Sequence, residues 1–69
     1  MNSDIVLKNS IKEIRNQKKI SQEELAKMVG TTRQTIIAIE KGQFNPSAKL
    51  AILICLALDT KFETLFWVE

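Results

Sequence analysis

Histidine is absent from the sequence and cysteine occurs once. A lone cysteine closes no internal disulfide, and without histidine it makes no zinc cluster, so neither a staple nor a metal centre is expected. The same absences remove most nucleophilic and metal-dependent catalysis. The adjacent carboxylates Glu23 and Glu24 have a simpler use at a helix start, so an enzyme is not expected and no cofactor or small-molecule ligand is implied. Long apolar runs are missing too. The longest, LAILICLAL from Leu50 to Leu58, is about half the roughly 20 residues needed to cross a bilayer. It reads as a buried helix, with Cys55 serving as a small hydrophobe. The opening MNSDIVLK has neither the charge order nor the length of a secretion signal, so the expected location is the cytoplasm, with no membrane partner. No internal repeat or low-complexity stretch interrupts the chain.

What is present is a chain of 69 residues, 45% hydrophobic and 26% charged, the composition of one globular domain spanning residues 1–69. A chain this short hides only about 60% of its unfolded surface, which makes its core marginal. With disulfide and metal excluded, dimerisation is the remaining source of stability. The net charge of +2 is unevenly spread. Residues 1–49 carry nine Lys or Arg against five acids, a net +4, and the last twenty residues carry one against three, a net −2. A basic end fits a polyanionic partner, although such a gradient alone also describes an ordinary solvated surface.

Helix start and stop signals divide the chain into five helices. Leu7, Ile11 and Ile14 follow helical spacing and predict a first helix over about Asn9 to Lys18. SQEE gives Ser21 as N-cap and Glu24 as its reciprocal partner, starting a second helix at Gln22, and Ile20 is placed to staple onto Leu25. Gly30 supplies a sharp turn, Thr32 caps a third helix, and Gly42 stops it. Small Ala26 allows close approach, while Leu25, Val29, Ile36 and Ile39 occupy the faces that meet. Pro46 holds the chain extended before Ser47 caps a fourth helix through Leu58, and a short fifth contains Phe62, Leu65 and Phe66. The fold is all-α, with Ile5 to Leu7 able to pair with Phe66 to Val68 as a short two-stranded edge.

The segment VGTTRQTIIAIEKG, Val29 to Gly42, places two long hydrogen-bonding side chains at the first turn of a helix that the core must also hold. A helix, a glycine turn and a second helix with a polar leading turn make the form of a helix-turn-helix, here about residues 22–41. A major groove roughly 12 Å wide admits one such helix. Arg33 can donate a bidentate pair to guanine, Gln34 can donate to and accept from adenine, and Thr32 stands beside them at the leading edge. Ile37 and Ala38 are expected to face solvent and could meet a thymine methyl. Gln22, with Ser21, lies at an open helix N-terminus that favours phosphate, and Lys41, Gln43 and Asn45 follow the third helix where the next phosphates would run. Arg15 is expected near the end of the third helix, where Glu40 can take its guanidinium as a structural ion pair.

The residues SQEELAKMVGTTRQTIIAIEKG together resemble the Cro/C1-type, or XRE-like, helix-turn-helix regulators of phages and bacteria, and the likeness extends over about Asn9 to Phe66. Gln22, Ala26, Gly30, Ile36, Ile39 and Glu40 fall at the family's motif positions. The resemblance implies phosphate contact for Gln22, base-facing positions for Arg33, Gln34 and Ala38, and an internal ion pair for Arg15 and Glu40. Two departures stand out. Thr31 occupies a usually aliphatic position, and Leu53 and Leu56 stand where Lys is more common on the fourth helix. They enlarge an apolar surface. Small members of this family resemble homodimers joined through their C-terminal elements. Residues 50–69 are therefore the expected dimerisation region, with Leu53, Leu56, Phe66, Trp67 and Val68 as interface candidates, unless they only complete the monomer core.

The implied function is a sequence-specific transcriptional regulator, a repressor that binds double-stranded DNA as a homodimer on an inverted repeat. With no room for an effector domain, it would act by occupying its operator. The competing expectation is a protein-interaction or antitoxin-like module of the same fold, whose apolar end covers a partner. The basic N-terminal part argues against that as its sole role.

Overall fold

Local capping chemistry sets the helix boundaries. In the computed structural model, which describes residues 6–69, the order is β1 (Leu7–Asn9), α1 (Ile11–Gln17), α2 (Gln22–Val29), α3 (Arg33–Glu40), α4 (Ala48–Ala57), α5 (Phe62–Leu65) and β2 (Phe66–Val68). Ser21 closes a full capping box: its hydroxyl accepts from the Glu24 N–H at 3.0 Å and its N–H donates to Glu24 Oε1 at 3.0 Å. Thr32 caps α3 by accepting from the Thr35 N–H at 3.2 Å, and Ser47 caps α4 by accepting from the Leu50 N–H at 3.1 Å.

Helices α1 to α4 all end in one way. A residue with positive φ follows each of them, namely Lys19 (58°), Gly30 (77°), Gly42 (75°) and Asp59 (49°). The next N–H then reaches five residues back, from Ile20 to Arg15, Thr31 to Ala26, Gln43 to Ala38 and Thr60 to Cys55, at 2.9 to 3.0 Å. This closure satisfies carbonyls that the helix end would leave unpaired.

The first helix starts two residues later than its apolar spacing predicts. Asn9 belongs to β1, where it pairs with Phe66, and its side chain bridges two elements. Its Nδ2 donates to the Ile39 carbonyl at 2.9 Å and its Oδ1 accepts from the Ile11 N–H at 3.2 Å. Those bonds hold Asn9 extended and hand the helix start to Ile11. The antiparallel ladder pairs Leu7 with Val68 and Lys8 with Trp67, and Val6 and Glu69 exchange both backbone hydrogen bonds beyond it. The strand pairing expected for Ile5 to Leu7 is thus shifted toward Asn9, and Ile5 itself lies outside the described residues.

Among the described residues, seven large side chains are fully buried: Ile11, Leu25, Ile36, Ile39, Ile54, Leu58 and Leu65. They come from all five helices, so the helix-turn-helix is welded to both ends of the chain. Cys55 is buried in α4, where loss of water raises its thiol above the ordinary pKa and keeps it neutral. Among the described residues no helix is long and apolar enough to cross a membrane.

Candidate nucleic-acid interface

Helix α3 divides its side chains sharply. Ile36 and Ile39 are buried, while Thr32, Arg33 and Gln34 at its leading end are exposed. The division follows from the helix period, since Ile36 and Ile39 lie three apart on the face turned to α2 while the opening turn projects beyond that contact. Ile37 and Ala38, expected on the solvent side, are half-buried and so only partly exposed. Packing of Ile36 and Ile39 draws the neighbouring positions partly into contact. Thr32 is already engaged, for its hydroxyl caps α3 and lies 3.0 Å from that of Thr35.

Beside this turn a polar cleft is lined by Lys12, Arg15, Asn16, Ser21, Gln22, Glu23 and Arg33. Arg15, one of these lining residues, is paired with Glu40 of α3. Arg15 Nε donates to Glu40 Oε2 at 2.9 Å and Nη2 to Oε1 at 3.4 Å, with the two side chains 8% and 5% exposed. Arg15 Nη1 also donates to the Ile20 carbonyl at 3.0 Å and to Asn16 Oδ1 at 3.2 Å, so the buried guanidinium is well satisfied. Gln22 is half-buried above the pair. Its Nε2 donates to Glu40 Oε1 at 3.1 Å, and its Oε1 accepts from Arg33 Nη2 at 3.5 Å. Sequence reasoning placed Gln22 at a helix start and missed that its amide is spoken for on both sides. The i to i+18 separation from Glu40 leaves no local signal for it.

Glu24 sits at the edge of this region, fully exposed. The Ser21 backbone N–H and then its hydroxyl hold the Glu24 carboxyl below the ordinary range. Lys41, Gln43 and Asn45 are exposed on the segment after α3.

Helices α4 and α5 carry exposed apolar surface. Ile52 and Leu56, one turn apart on α4, are 55% and 72% exposed, and Phe62 of α5 is 52% exposed. Two shallow cavities flank them, one reaching Asp59, Thr60 and Lys61, the other Leu7, Pro46 and Phe66. Of the expected interface residues, Leu56, Trp67 and Val68 are exposed. Leu53 is half-buried against the core, and Phe66 is 2% exposed. Phe66 is therefore a monomer core residue: β2 turns it inward, 5.2 Å from the Phe62 ring. Ile52 and Phe62 were missed, although the Ile52 to Leu56 spacing of four marks one helix face.

Residues 11–65 match the helix-turn-helix family. A Bacillus subtilis protein described as an uncharacterised HTH-type transcriptional regulator, YgzD, is 51% identical over 63 residues, covering 91% of this chain and 96% of its own. An uncharacterised HTH-type transcriptional regulator of Methanocaldococcus jannaschii is 48% identical over 63 residues, with the same coverage. Among solved structures, the restriction-modification controller protein C.AhdI from Aeromonas hydrophila superposes with a TM-score of 0.76 at 36% identity, covering 81% of this chain and 85% of that one. The transcriptional regulator VanUg shares the fold, with a TM-score of 0.77 at 18% identity over 94% of this chain and 87% of its own.

Proposed function

The chain belongs to the helix-turn-helix family of DNA-binding transcriptional regulators, and from that premise we propose that it is a cytoplasmic repressor that grips an inverted-repeat operator as a homodimer. The observation that carries the reading is the exposure of Thr32, Arg33 and Gln34 at the tip of a helix whose other face is fixed by buried Ile36 and Ile39. A rigid helix with a free polar tip is the shape that enters a major groove, where Arg33 reads guanine and Gln34 adenine. Thr32, Ile37 and Ala38 supply nearer, smaller contacts along the groove wall.

Phosphates flank this tip. Ser21, exposed at the start of α2 with its hydroxyl shared with Glu24, borders one strand, and Gln22 retains one amide N–H beyond the one given to Glu40 that can donate to it. Lys41, Gln43 and Asn45 take the next phosphates. Repression is steric, because a chain of this size that is bound to a promoter occupies the polymerase's track.

The exposed face of Ile52, Leu56 and Phe62 supports the homodimer, since two copies would each cover it and would also supply the stability a small core lacks. Two-fold pairing presents the two α3 helices about 34 Å apart, or a multiple of that spacing. Selection of duplexes from a random-sequence library by the purified protein tests the proposal. A palindromic consensus is expected; a consensus without symmetry, or none, would overturn it.

A further inference from the structure

The polar groups between α1 and α3 form a hydrogen-bonded chain that runs from the buried ion pair to the exposed tip: Arg15, Glu40, Gln22, Arg33. A carboxylate can only accept hydrogen bonds, so Glu40 Oε1 compels Gln22 to present its Nε2, at 3.1 Å. The amide is planar, and its carbonyl oxygen is consequently aimed the other way, where Arg33 Nη2 meets it at 3.5 Å. Without Glu40 the Gln22 amide has two orientations that differ by exchange of O and N. With N toward Arg33 it would repel the guanidinium. Glu40 itself cannot turn, because Arg15 holds both of its oxygens and both side chains are more than nine-tenths buried.

We propose that Glu40 is a positioning residue for DNA recognition: it sets the Gln22 amide so that Arg33 is held ready for a base before DNA arrives. The ion pair thus has a second role beside stability. Holding a long side chain in advance removes part of the entropy lost on binding, and this gain falls at the base pair that Arg33 reads and at no other. The inference rests on Arg33 reading a base, as argued above.

The test uses the full-length protein and the duplex it selects from a random library, with every single-base-pair variant of that duplex, measured well below the melting temperature of each protein variant. Gln22→Met keeps the side-chain length and leaves Arg15 and Glu40 joined, so it separates positioning from folding. Its base preference at the Arg33 position is expected to fall about tenfold, while the preference at the Gln34 position is kept. Glu40→Gln is expected to lower the same preference in the same place. In Arg33→Ala the preference is lost, and adding Gln22→Met should then cost only a uniform phosphate contribution. If Arg33→Ala loses the preference but Gln22→Met and Glu40→Gln retain it, the positioning role is overturned and the base-reading account stands. If Arg33→Ala itself keeps the preference, both are overturned. A loss spread equally over all positions in Gln22→Met also contradicts positioning.

Discussion

Arg15 and Glu40, 25 residues apart, are joined through two hydrogen bonds in a site that water hardly reaches, and the pair ties α1 to the end of α3. A buried pair of this kind gives little net stability against an apolar replacement, but breaking it leaves an uncompensated charge.

Arg15→Met or Glu40→Ala alone is therefore expected to cost about 3 to 5 kcal/mol, and Arg15→Met combined with Glu40→Leu to recover much of that loss. Urea unfolding of the three variants checks it. Single variants that unfold like the parent would show the pair to be idle.

Gly30 and Lys19 stand in equivalent left-handed positions after α2 and α1. A Cβ at Gly30 would meet nothing within 4 Å, so Gly30→Ala costs only backbone strain, about 1 kcal/mol. Lys19→Gly should gain about 0.5 to 1 kcal/mol by relieving the same strain. Opposite signs in thermal melts are the expected outcome, and a destabilised Lys19→Gly would refute it.

The capping box carries a pH dependence. Hydrogen bonding to Ser21 lowers the Glu24 pKa in the folded state, so the contribution is complete above the ordinary carboxylate range and is lost as pH falls through the folded pKa. Stability of Glu24→Gln, followed by denaturant titration at a series of acid pH values, should fall less steeply than that of the parent. An unchanged acid limb would remove Glu24 from the account.

The helices were legible because their signals are local. Ser21 with Glu24, Thr32, Ser47, Gly30 and Gly42 announce starts and stops within four residues of where they act. What was not legible depends on distant partners. Asn9 is extended because Ile39 and Phe66 hold it, 30 and 57 positions away, and Phe66 is buried because β2 pairs with β1. Lys19 and Asp59 close helices in a conformation that their residue types do not advertise. In the candidate site the exposed tip could be read from helical period, whereas the Gln22 amide's double engagement needed the tertiary fold.

Dimerisation through α4 and α5 makes a further prediction. Ile52→Lys with Leu56→Lys places charge on the apolar face without entering the core and should give a folded monomer by sedimentation, with operator affinity greatly weakened. An unchanged dimer would move the interface elsewhere. A parent chain that is monomeric until mixed with another protein would favour the partner-capping module.

The most direct test of the central claim compares Arg33→Ala with Lys41→Ala across the selected duplex and its single-base-pair variants. Arg33→Ala is expected to lose about 1 to 3 kcal/mol and to relax preference at one base pair in each half-site, while Lys41→Ala weakens every sequence alike and reduces the salt dependence by about one ion. Uniform loss across all sequences for Arg33→Ala would contradict a groove-reading role for the tip of α3.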